Sequence, residues 1–78
     1  MYGYGTLTAR QKRILQLLAY GKKVNDIAKL IYIAPATVRT HIDAINDKLG
    51  TNSKVQAMVI YWLNNIEELK NITIEEII

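Results

Sequence analysis

Cysteine is absent from the 78 residues, which excludes disulfides, thiolate metal sites and cysteine nucleophiles together. The single histidine, His41, cannot hold a metal ion alone, so neither a metal nor another cofactor is expected. Phenylalanine is missing, and proline occurs once, at Pro35. The longest strictly apolar run, 57–63, falls far short of the roughly 20 residues that a spanning helix needs. The opening MYGYGTLTAR has no apolar signal core. A cytoplasmic protein without a membrane partner is the expectation.

Hydrophobic residues make up 50% of the chain, too many for a disordered segment. At this length a chain buries only about 60% of its unfolded surface, so one small domain is expected. Its charge is uneven. Residues 1–63 hold nine of the ten Lys and Arg and three of the seven acids, a net +6, whereas 64–78 set Lys70 against Glu67, Glu68, Glu75 and Glu76, a net −3. The basic body suits a phosphate backbone, and the acidic end should point elsewhere.

Periodicity predicts an all-α chain. Residues 1–6, with two glycines and no pattern, read as a flexible arm. Thr8 and Gln11 form a capping box ahead of a helix over 9–20, whose apolar face is Ile14, Leu15, Leu17 and Leu18 and whose end is marked by Gly21. A short second helix carries Val24, Ile27, Ala28 and Ile31 at helical spacing. Pro35 suits the first position of a third helix, 35–49, stopped by Gly50. Ser53 and Gln56 suggest a second capping box, opening a fourth helix over 54–63. The tail, 65–78, mixes isoleucines with acids; a short helix is the preference there, with a cap between Thr73 and Glu76.

Along the third helix Val38, Ile42, Ile45 and Leu49 fall in one stripe about 60° wide, which is the expected core contact. The other side carries Ala36, Thr40, Asp43 and Asp47, with Arg39 and Ala44 on its flanks. Two short helices joined by a tight link, the second presenting small polar and basic side chains, make a helix-turn-helix pattern over 24–43. On the fourth helix Val55, Met58, Val59 and Trp62 are the expected inner stripe. Ala57, Ile60 and Tyr61 then make it apolar almost all round, so the tail or another subunit should cover it.

In register, these features resemble the LuxR/GerE-type DNA-binding domain. The matching residues are Leu7, Thr8, Arg10, Leu15, Leu18, Gly21, Ile27 and Ala28, then the block Thr37, Val38, Arg39 and His41, and finally Ile45, Lys48, Leu49, Gly50 and Ala57. The resemblance spans nearly everything except arm and tail, 7–64. It implies a four-helix regulator domain with a short C-terminal extension, whose third helix is the recognition helix in the major groove and whose fourth helix forms a dimer. With only an arm upstream, the chain looks like a small stand-alone member without a built-in switch. It departs from the family pattern in Gln11 for a usual Glu, in Lys23, Val24 and Ala34 where small polar caps are common, and in Asp43 and Asp47, which bear on DNA affinity rather than on the fold.

Within that frame Arg39, Thr40, Asp43, Ala36 and Asp47 are the candidate base or groove contacts. Arg39 can meet guanine O6 and N7 with two hydrogen bonds, or instead pair with Asp43 one turn on. Thr37 is placed for a phosphate near the helix N-terminus. Lys48, Lys54, Lys22 and Lys23 are candidate phosphate anchors, the last two on charge alone. His41 suits a packing role more than a phosphate. Ala57, Ile60 and Tyr61 are the candidate dimer contacts.

A sequence-specific regulator bound to double-stranded DNA, a homodimer on an inverted repeat associated with the nucleoid, is the first expectation. The alternative keeps the fold but uses the fourth helix and acidic tail to bind another transcription regulator or RNA polymerase, with weak or no DNA binding. An enzyme has little support, because two exposed carboxylates with no convergent partners do not make a catalytic pocket.

Overall fold

The computed structural model describes residues 3–71. These form a 3-10 turn at Tyr4–Thr6 and five helices: α1 at Ala9–Ala19, α2 at Val24–Ile31, α3 at Pro35–Leu49, α4 at Lys54–Asn64 and α5 at Ile66–Lys70. No strand occurs among the described residues, so the chain is all-helical.

Local chemistry accounts for the boundaries. The Thr8 hydroxyl accepts from the Gln11 N–H at 3.1 Å, and the Gln11 side chain accepts from the Thr8 N–H at 2.9 Å, closing the expected box on α1. Gly21 ends that helix at φ 88°, with Lys22 N–H donating to the Leu17 carbonyl and Gly21 N–H to that of Leu18. That pairing satisfies carbonyls the helix leaves open. Pro35 opens α3 and Gly50 closes it. The second box is only half formed: Ser53 accepts from Gln56 N–H, but the Gln56 side chain accepts from Asn52 N–H rather than reaching Ser53. Neither Lys23 nor Ala34 supplies a side-chain cap, as their residue types require.

α1 is the hub of the packing. It lies against α4, α3 and α2, while α2 packs chiefly on α3. Ile14, Leu15, Ile27, Val38 and Ile45 are fully buried, each worth about 2 kcal/mol of transfer from water. Ile42 and Leu49 complete the α3 stripe from its margin.

Two segments differ from expectation. A loose arm is not what residues 3–6 form: the Thr6 hydroxyl donates to the Gly3 carbonyl, and the Tyr4 ring packs edge-on to Tyr61 at 6.1 Å under the Lys12 ammonium. Burying an aromatic face outweighs the freedom of two glycines. The extension also folds back. Asn65 donates to the Tyr61 carbonyl, and Glu68 on α5 accepts from the hydroxyls of Tyr20 and Tyr61. The cap expected between Thr73 and Glu76 lies outside the described residues.

Candidate nucleic-acid interface

With Val38 and Ile45 at 0% and 1% exposure, the phase of α3 is set by the core. Ala36, Thr37, Arg39, Thr40, Asp43 and Asp47 are all exposed, and Ala44 and His41 lie half-buried at the margins. Five of the expected groove residues therefore share the outer side of a helix that its buried stripe holds rigid. The alternative Arg39–Asp43 pair does not form. Among the described residues Lys70–Glu67 is the only ion pair, which leaves the Arg39 guanidinium without an internal partner. Thr40 behaves differently. Its hydroxyl donates to the Ala36 carbonyl at 3.1 Å, so toward a ligand it offers acceptor lone pairs and a methyl group.

The cations divide into two groups. Lys22, Lys23 and Lys54 are exposed, and each stands at the start of a helix, Lys22 and Lys23 before α2 and Lys54 at the first position of α4. A cation there is disfavoured by the helix dipole. At α4, whose first turn holds no acid, ammonium and open N–H groups together make a positive field that an anion would relieve, whereas at α2 Asp26 in the first turn offsets part of it. Lys48 is otherwise engaged. Its ammonium donates to the Thr6 carbonyl at 3.2 Å and to Gln11 at 2.9 Å, which makes it a tie between α3 and α1 and removes it from the expected phosphate anchors. Burial favours this inward pose, because Gln11 is 8% exposed and its amide oxygen needs donors.

The faces of α4 also require correction. Ala57 and Tyr61, expected on a free dimer surface, are 1% and 3% exposed and belong to the chain's own core. Ile60 is half-buried, and Val55 and Val59, expected inside, are 61% and 53% exposed. Two needs turn the helix this way. The small Ala57 lets α4 close on α1, and the Tyr61 hydroxyl finds an acceptor in Glu68 at 2.8 Å. Val55, Val59 and Leu63, spaced by four residues, then form the outer apolar ridge.

Glu68 holds this corner together. Burial opposes its ionisation, but hydrogen bonds from Tyr20, Tyr61 and Gln16 outweigh that and hold the carboxyl below its ordinary value. Burial first, and then the Glu68 carboxylate, push the Tyr61 phenol well above its ordinary range. Trp62 packs edge-on to Tyr61 at 5.1 Å and tilted on Tyr20 at 5.5 Å. Sequence patterns gave no sign of this cluster, because Glu68 lies 48 residues from Tyr20. No helix among the described residues is long and apolar enough to cross a membrane.

Comparison with known proteins bears on the same face. Residues 5–61 match the family model described as bacterial regulatory proteins, luxR family. The spore germination protein GerE of Bacillus subtilis is 38% identical over 53 residues, covering 68% of this chain and 72% of GerE. The transcriptional regulatory protein DesR of the same organism is 38% identical over 52 residues, 67% of this chain and 26% of DesR. A Mycobacterium bovis protein named as an HTH-type transcriptional regulator is 39% identical over 54 residues, 69% of this chain but 6% of that much longer one. The match thus spans a small part of two of these three relatives, DesR and the Mycobacterium protein. No solved structure matches the chain. The matched region runs from the 3-10 turn to Tyr61 and includes both helices of the helix-turn-helix and the exposed side of α3. The chain therefore belongs to the luxR family of bacterial regulatory proteins and carries that family's helix-turn-helix domain.

Proposed function

We propose that this chain is a sequence-specific DNA-binding transcriptional regulator that acts in the cytoplasm, on the nucleoid, as a homodimer at an inverted repeat. The observation that carries this is Arg39, exposed and without an internal partner on the outer side of α3, beside Thr40, Asp43, Asp47 and Ala36. That side enters the major groove. Arg39 meets a guanine edge, and the carboxylates accept from cytosine N4. Thr37, Lys22, Lys23 and Lys54 meet phosphates and fix the register. The second copy docks through the Val55, Val59 and Leu63 ridge of α4, with Ile60 at its edge. Selection of bound sites from random duplexes at two salt concentrations tests it. A two-fold symmetric site whose affinity falls steeply with salt is expected; recovery of no preferred sequence, or an association indifferent to salt, would refute it.

A further inference from the structure

Tyr32 is the one non-glycine residue among those described with a positive φ, at 59° with ψ 46°. In this left-handed region an L side chain crowds its own backbone, and the position after a helix ordinarily falls to glycine or asparagine. Strain of this kind persists where the surroundings over-determine it, and it gathers at functional positions. Here the turn does over-determine it. The N–H groups of Tyr32 and Ile33 both donate to the Ala28 carbonyl; Ala28 is buried, and Ile33 packs on the core. The side chain receives nothing from the fold in exchange. Tyr32 is 93% exposed, whereas Tyr4, Tyr20 and Tyr61 all sit in ring contacts. A strained backbone thus holds one phenol out in water, in the connection between α2 and α3 and four residues before Ala36 on the outer side of α3.

We infer that Tyr32 is a DNA-backbone contact: its hydroxyl, on the DNA-binding reading above, donates to a phosphate oxygen at the edge of the groove that α3 enters. A phenol suits that task. It reaches further than the serine or threonine hydroxyls common in such turns, and its hydrogen bond to an anionic oxygen is stronger than one to a neutral acceptor. The turn is also electrostatically suited to a polyanion. Lys29 stands in the last turn of α2, Arg39 is exposed one turn into α3, and the start of α3 has no side-chain cap.

The test compares Tyr32→Gly and Tyr32→Phe with the unaltered chain, measuring affinity for a mixed-sequence duplex over a salt series alongside the melting temperature. Tyr32→Gly is expected to melt about 3 °C higher, because the strain is relieved, yet to bind about tenfold more weakly. Tyr32→Phe should melt like the unaltered chain and show the same loss of affinity. Neither should change the slope of log affinity against log salt, since no charge is removed, whereas Lys22→Ala should flatten it by about one. A merely structural residue would not move stability and affinity in opposite directions. Unchanged affinity in Tyr32→Gly overturns the inference. Full affinity in Tyr32→Phe overturns the hydroxyl contact. An unaltered chain that binds no duplex at low salt sinks the DNA-binding reading itself, which is a distinguishable result.

Discussion

Lys48 Nζ lies 2.9 Å from Gln11 Oε1, joining the last turn of α3 to the first turn of α1. The same oxygen accepts from the Thr8 N–H, so one amide serves both the cap and the cation. A glutamate there would keep both contacts, add a charge opposite Lys48 and favour the positive end of the α1 dipole. Gln11→Glu is expected to stabilise the chain by about 1 kcal/mol, near 4 °C in thermal melts. Lys48→Ala should cost a similar amount, about 1 kcal/mol. The two are coupled, so a gain from Gln11→Glu that survives undiminished on the Lys48→Ala background would contradict the tie.

Acid should loosen α5 before it loosens the core. Glu68 is held below its ordinary value of 4.5, so its contribution is whole above that pH and is lost as pH falls through the lowered value. Tyr61 works in the opposite sense, its contribution whole below 10 and lost as pH rises beyond that. Trp62, the single tryptophan, packs on both donor rings and reports the event. Its fluorescence should show an acid step that Glu68→Gln removes; an identical step in that variant would exclude Glu68 as its source.

On α4 the two sides should respond differently to substitution. On the proposed α4 dimer, Val59→Glu is expected to leave a folded chain that sediments as a monomer at concentrations where the unaltered chain should sediment as a dimer. Ala57→Leu overpacks the α1–α4 contact and should cost about 2 kcal/mol in denaturant unfolding. If Val59→Glu unfolds the chain while Ala57→Leu is tolerated, the helix is turned the other way.

On α3, Asp43→Ala and Asp47→Ala should each raise affinity for non-specific duplex by about fivefold at low salt, because each removes a negative charge from the side proposed to enter the groove. Arg39→Ala should lower affinity for a selected site and relax the choice of one base pair, a discrimination of about 1–3 kcal/mol. Retardation assays on both duplex types decide this, and a fall in non-specific binding for both aspartate variants would place that side of α3 away from DNA.

Where local chemistry marks an element, its sequence was enough to place it. Thr8, Gln11 and Gly21 bound α1, and Pro35, Gly50 and the Val38 to Leu49 stripe bound and orient α3. The outer side of α3 was legible for the same reason, since one apolar stripe leaves a single choice of phase. α4 had no such marker. With apolar residues almost all round, its phase is decided by what Tyr61 can hydrogen-bond and by how closely Ala57 can pack, and both depend on partners distant in the chain. Lys48 and Glu68 were misjudged or missed because charge alone does not reveal whether a long side chain turns outward or finds an acceptor across the fold.

The hydrogen bond from Thr40 to Ala36 bears on the wording of the site this helix would read. With that hydroxyl's proton directed into its own backbone, the exposed side of α3 presents acceptors from Thr40, Asp43 and Asp47 against a single strong donor group, Arg39. Such a surface is a negative image of the groove it fits: a guanine edge opposite the arginine, and amino groups of cytosine or adenine opposite the rest. A half-site that set acceptors, such as guanine N7 and O6, opposite Asp43 or Asp47 would meet oxygen with oxygen, and repulsion rather than absent contact would reject it.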